Sequence, residues 1–203
     1  MKKNIFAIIA IVVIVIIIFI LILKGPSIKD YEYLKNPRIT QLSAKKMMTT
    51  KAKGNPEVTA GKALKLLFQT YFKIKGISKI QMPAPLARWY AERGSAPETW
   101  IGEFAIPIPE TLNELPQIEN KTDLKVEIST WQYGEVAEIL HVGSYDNEKP
   151  TFDKLDEFIT KSGYEISGPH EEEYIKGPSP YWPTNPKNFL TIIRCQIKKK
   201  AGY

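Results

Sequence analysis

The amino-terminal run that begins at Ile5 and ends at Leu23 has nineteen residues and no polar side chain. As a helix rising 1.5 Å per residue it would be about 28 Å long, close to a bilayer's hydrocarbon thickness. Residues 11–18 are all Ile or Val. In water such a run would aggregate, whereas in lipid a helix satisfies its own backbone groups. Cleaved signal peptides have shorter apolar cores, and Lys24, Gly25 and Pro26 follow without a small-x-small cleavage site. The reading is a single-pass transmembrane anchor over residues 1–24, contacting the lipid bilayer from Ile5 to Leu23. A cleaved signal and a buried core helix are the competing readings. Lys2 and Lys3 favour an inside amino terminus, against Lys24, Lys29, Lys35 and Arg38 on the other flank. The expected placement is the cell membrane, with the carboxy-terminal domain on the outer side.

About 180 residues remain, enough to bury a core. Residues 25–37 read as a tether and residues 38–200 as one domain. Cys195 is the only cysteine, and His141 and His170 are the only histidines. An intramolecular disulfide is therefore impossible, little is left for a metal centre, and no cofactor is expected. The net charge is +6 with no long basic block, so no nucleic-acid partner is expected; a protein partner is left unassigned.

Strand and helix patterns alternate. Leu64, Leu67, Phe68, Tyr71 and Phe72 form a helical stripe, with Thr59 as a cap and Gly76 as a stop. A strand pattern over residues 39–53 precedes it, and others follow at residues 86–90 and 100–108. The second half repeats the order. Alternation from Leu124 to Thr130, a turn at Gly134 and a strand over residues 136–142 lead to a helix opened by Pro150. Phe152, Leu155 and Ile159 are its buried stripe, and Gly163 its stop. Strands at residues 164–175 and 189–198 close the chain. The fold class is α+β, read as a weak duplication with repeats at residues 38–110 and 122–200 and a concave seam between them.

In the second half, His141-Val142-Gly143-Ser144-Tyr145 is followed by Pro150-Thr151-Phe152, Leu155, Gly163-Tyr164, Gly168-Pro169, Glu172-Glu173-Tyr174 and a closing strand with Thr191. In order and spacing this resembles the GyrI-like small-molecule-binding domain, also the effector-binding domain of BmrR- and AraC-type regulators. The resemblance implies a duplicated strand–helix–strand–strand module with a ligand cleft between repeats. It implies varied, often aromatic and cationic, small-molecule ligands, and hydrolysis of strained electrophiles in some members. It also places a pocket glutamate and tyrosine at Glu172 and Tyr174.

Strand alternation supports that pair independently, because Glu172 and Tyr174 share one face while Glu171 and Glu173 share the other. A carboxylate beside aromatic walls is a cation trap; with a raised pKa it would be a general acid or base. The acidic triplet could equally be a solvated edge. Tyr145, Trp131, Tyr133 and Trp89 are the further ligand-binding candidates, Trp131 and Tyr133 because they avoid the Leu124–Val126–Ile128 face. His141 reads as a hydrogen-bonded structural histidine, His170 as exposed and Cys195 as a buried thiol. The function expected is membrane-anchored binding of aromatic or cationic compounds. The alternative is a hydrolase using Glu172, although no Ser–His or Cys–His pair is visible.

Overall fold

The computed structural model describes residues 25–80, 82–91, 95–178 and 184–202. The expected anchor at residues 5–23 and Trp182 lie outside the described residues. No helix among those described is long and apolar enough to cross a membrane. The expected placement at the cell membrane is corrected by that finding.

The strands are β1 (Arg38–Leu42), β2 (Lys45–Lys53), β3 (Leu86–Tyr90), β4 (Ile101–Pro107), β5 (Glu127–Trp131), β6 (Gly134–Val142), β7 (Tyr164–Lys176) and β8 (Leu190–Lys199). The helices are α1 (Pro56–Lys73) and α2 (Lys149–Lys161), with a 3-10 helix at Ile28–Leu34. All eight strands form one sheet, every pairing antiparallel, in the order β1-β6-β8-β7-β3-β4-β2-β5.

Helix α1 begins earlier than its stripe suggests. Asn55 caps it by accepting from the Glu57 N–H at 2.9 Å, and Pro56 takes the first turn. The chain over residues 39–53 makes two strands, not one. The alternation from Leu124 becomes a strand only from Glu127. Gly163, at φ +80°, turns α2 into β7 as expected.

Both helices lie on one sheet face. α1 packs on β2 and β4, burying Leu67 and Tyr71 against Met48 and Phe104. α2 packs on β6 and β7, burying Leu155 and Ile159 against Ala137, Ile139, Ile193 and Cys195. At the centre of the sheet β7 pairs with β3.

The opposite face is enclosed by the sheet itself. β5 ends at Trp131 and β6 starts at Gly134, yet they stand six strand spacings apart in the order. Flat, that gap would be about 29 Å. Three Cα steps reach at most about 11 Å. The sheet must curl until its ends approach, and Gln132 and Tyr133 cross its inner face. There the Gln132 carbonyl accepts from Arg88 of β3 and Gln196 of β8.

Inside the curl, Arg38, Glu138, Arg194, Glu171, Arg88, Glu103 and Lys51 are consecutive partners across seven strands. Their charges alternate along the whole row. Arg194 donates to Glu138 at 3.0 Å and Glu171 at 2.6 Å, and Arg88 to Glu171 at 2.9 Å. The solvated edge envisaged for the acidic triplet is thus wrong for Glu171, which is 3% exposed.

Candidate functional site

On the helix-bearing face the corresponding row reads Ile139, Ile193, Glu172, Ala87, Phe104. Glu172 is the acid in an apolar row, and it is 8% exposed. Its neighbours in sequence have arginines: Glu171 pairs with Arg88 and Arg194, and Glu173 with Arg194 at 3.2 Å. Among the described residues no Lys or Arg reaches Glu172. His170 Nε2 lies 3.4 Å from Oε1, an ion pair only when that ring is protonated. Burying a carboxylate without a counter-charge costs several kcal/mol, on the order of the desolvation of one ion.

The Tyr174 hydroxyl donates to Glu172 Oε2 at 2.6 Å. Burial first, then the charge of Glu172, raises the Tyr174 pKa well above its usual value. It therefore stays a donor at physiological pH. Tyr145, on the 3-10 helix Tyr145–Asn147, packs edge-on to Tyr174 with ring centres 5.6 Å apart and against Phe189 at 5.5 Å. Burial, then Glu148 and Glu172, pushes its hydroxyl to about 12. A Cβ added at Gly177 would lie 2.6 Å from that hydroxyl, so the glycine makes room for the ring. Phe152 of α2 packs at a tilt against His170, with ring centres 5.1 Å apart.

A second acid completes the site. Glu148 precedes Pro150 at the start of α2, but its side chain makes no cap bond. Burial, then the charge of Glu172 and hydrogen bonding to it, raises the Glu148 pKa to about 9, while the Thr191 hydroxyl works in the other direction. Glu148 is protonated at neutral pH. Its Oε1 has no hydrogen-bond partner among the described residues. The arrangement is two acidic side chains together in an aromatic surround, able to hold a cation or to move a proton.

Glu172, Tyr174 and Tyr145 are brought together as expected. Trp131 and Tyr133 are not. They lie inside the curl, where Arg88 Cζ sits 4.0 Å from the Trp131 ring centre and 4.9 Å from that of Tyr133. The reason is the crossing of the β5–β6 connection. They do avoid the Ile128 face, but that puts them opposite Glu172 rather than beside it. Trp89 shares the face of Glu172, yet its ring packs edge-on against Phe104 and Trp100 in the α1 cluster. His141 is structural: Nδ1 is 2.9 Å from the Thr151 hydroxyl and Nε2 3.1 Å from the Ser144 carbonyl. Cys195 is buried. Glu148 went unread, because an acid ahead of a helix-opening proline reads as an ordinary partner of the helix dipole.

Among the described residues no group of three or more His, Cys, Asp or Glu side chains is placed to hold a metal ion. A recess of about 680 Å³ between α1 and residues 119–123 shares no residue with the site. Its walls are Lys62, Lys65, Leu66 and Gln69 of α1 and the polar loop.

The family described as the GyrI-like small molecule binding domain matches residues 35–198. No curated protein sequence matches the chain. In fold it is similar to an uncharacterized conserved protein from Listeria innocua (TM-score 0.68, 19% identity, 81% of this chain, 93% of that one). A hydrolase from Listeria innocua is similar at TM-score 0.65 and 17% identity, over 84% of this chain and 97% of that one. The EcmrR C-terminal domain is similar at TM-score 0.58 and 14% identity, over 81% and 98%. A further similar chain belongs to an EcmrR–DNA complex and is matched over 60% of its length.

Proposed function

The chain belongs to the family of GyrI-like small-molecule-binding domains, and from that premise we propose that it captures a small organic cation at Glu172. The observation that carries the reading is the missing counter-charge. Glu171 and Glu173 have arginines, and Glu172, buried between them on the other face, has none among the described residues. A ligand ammonium or similar group would supply that charge. Tyr174, Tyr145 and Phe189 offer aromatic faces, where each cation–π contact contributes roughly 0.5–2 kcal/mol. Trp131, Tyr133 and Trp89 take no part in this reading.

The sheet order supports a duplication with its seam at this site. β6, α2, β7, β8 and β2, α1, β3, β4 follow the same sequence of elements, and β7 pairs with β3 at the middle. In this reading the repeats span residues 38–110 and 122–200 and neither buries a core without the other.

Calorimetry of phenyltrimethylammonium binding to the full chain tests the assignment. Glu172→Gln is expected to weaken binding by on the order of a hundredfold, the scale of a lost buried charge pair. Equal affinity in both proteins would reject the role of Glu172.

One observation favours a second reading. Glu148, protonated at neutral pH beside Glu172, is poised as a general acid, so a bound strained electrophile could be protonated and attacked by water. The hydrolase name of a neighbour in fold is consistent with that chemistry. Consumption of such an electrophile by wild type but not by Glu148→Gln would favour it; binding without consumption favours capture.

A further inference from the structure

Among the described residues the one base beside Glu172 is His170. It lies two residues back on β7, on the same face, with Nε2 3.4 Å from Glu172 Oε1. That contact is an ion pair only when the ring is protonated, and Nε2 is buried with no hydrogen-bond partner among the described residues. The side chain as a whole is nevertheless 28% exposed, so other atoms of the ring reach solvent. The imidazole thus stands between water and the carboxylate.

Its surroundings come from three elements. Phe152 of α2 packs at a tilt against the ring, and Asp156 follows Phe152 by one turn of that helix. The register partners of His170 are Trp89 on β3 and Cys195 on β8, an indole and a buried thiol. Along β7 the neighbours on the same face are Glu172 and, beyond it, Tyr174, with Glu148 against Glu172 from the start of α2. Glu148, raised to about 9, keeps its proton below pH 7.5, as do the hydroxyls of Tyr174 and Tyr145. An ordinary imidazole titrates at about pH 6.5, within the range where those three groups stay protonated.

We propose that His170 is the resident counter-ion of Glu172: once protonated, its imidazolium takes the place of a ligand's cationic head, so that capture of a cation expels a proton and weakens as pH falls. The inference rests on the reading of Glu172 given above and adds its regulation. The sign follows from competition. With the ring protonated, an arriving cation meets a carboxylate whose charge is already offset. With the ring neutral, it meets a carboxylate that lacks a cation. By reciprocity a bound cation disfavours the imidazolium by the same factor, and the displaced proton passes to solvent.

Calorimetry of phenyltrimethylammonium binding to the full chain at pH 5.5 and 7.5 tests the exchange. Wild type is expected to bind on the order of tenfold more weakly at pH 5.5, the effect of one competing proton about one pH unit below an ordinary imidazole midpoint. At pH 6, heats measured in two buffers of different ionisation enthalpy should show a proton released. His170→Gln should bind alike at both pH values and release none. Equal wild-type affinity at the two pH values, or the same pH dependence in His170→Gln, overturns the exchange. A measurement without ligand separates this from the capture reading. Urea denaturation of wild type, His170→Gln, Glu172→Gln and the double variant gives the coupling between the two side chains. It should be on the order of tenfold in the folding constant at pH 5.5 and fall away at pH 7.5. No coupling at pH 5.5 overturns the counter-ion whatever the chain binds. Coupling at pH 5.5 with no cation bound at either pH leaves the pair standing and overturns the capture reading, and the exchange with it.

Discussion

At the scale of single residues, three consecutive glutamates have opposite fates because a strand alternates its faces. Glu171 and Glu173 enter a charged interior and find arginines. Glu172 enters an apolar face and finds two tyrosines and another acid. The cost of that second arrangement should be readable as a pH dependence. Glu148 is raised by burial from 4.5 to about 9, so between those values the folded chain holds a proton that the unfolded chain releases. Stability from this group is complete below about pH 4.5 and is lost as pH rises toward about 9. Glu148→Gln keeps the shape of the protonated acid and cannot ionise. It should match wild type near pH 4.5 and exceed it by on the order of 1–2 kcal/mol at pH 8.5, discounted for the partial exposure of the side chain. Urea denaturation at the two pH values measures the difference. A wild-type advantage at pH 8.5 would mean that Glu148 is ionised in the fold.

At the scale of elements, much was legible. The alternation of Glu172 with Tyr174 places both on one face of β7, and the stripes of both helices predict the sides that they bury, except that Phe72, at the end of the first stripe, is exposed. What was not legible depends on pairing. The start of α1 at Asn55-Pro56 carries a proper signal, a capping side chain followed by proline; Thr59, expected as the cap, lies inside the helix and its hydroxyl donates to the Asn55 carbonyl at 3.0 Å. The positions of Trp131 and Tyr133 carry no local signal, because a sequence does not state that β5 and β6 sit at opposite ends of a curled sheet. The bulge in β7 is similar. Pairing shifts between Ile166 and His170, and Gly168 lies within the shift. A Cβ there would meet Gln196 Oε1 at 2.3 Å and Gln196 Cβ at 3.0 Å. Gln196 in turn donates to the Gln132 and Tyr133 carbonyls at 2.7 and 3.1 Å. Gly168→Ala should therefore dislodge the β5–β6 crossing and cost about 1–3 kcal/mol. Gly61→Ala, in α1 with open space around it, should stabilise by roughly 0.5–1 kcal/mol. Thermal denaturation of the two variants decides; equal midpoints would show that the bulge tolerates a methyl group.

At the scale of the whole molecule, the row of alternating charge links seven of the eight strands in register. A slip of β6, β8 or β3 by one residue would send its charge to the helix face and an apolar side chain into the charged interior. Arg194 is the member with three acidic partners, Glu138, Glu171 and Glu173. Burial alone would lower its pKa, but Glu171, Glu173 and Glu138 outweigh burial and raise it, so it remains charged. Arg194→Leu would leave three acids without that guanidinium, two of them deeply buried, and should cost about 3–5 kcal/mol. Lys198→Ala removes an exposed pair with Glu165 at 3.1 Å and should change stability by no more than about 1 kcal/mol. The comparison is made by urea denaturation at pH 7. A loss for Arg194→Leu as small as that for Lys198→Ala would mean that apolar packing alone sets the register. A large loss would tie the placement of Glu172 to the charges behind it, since the same strand carries both.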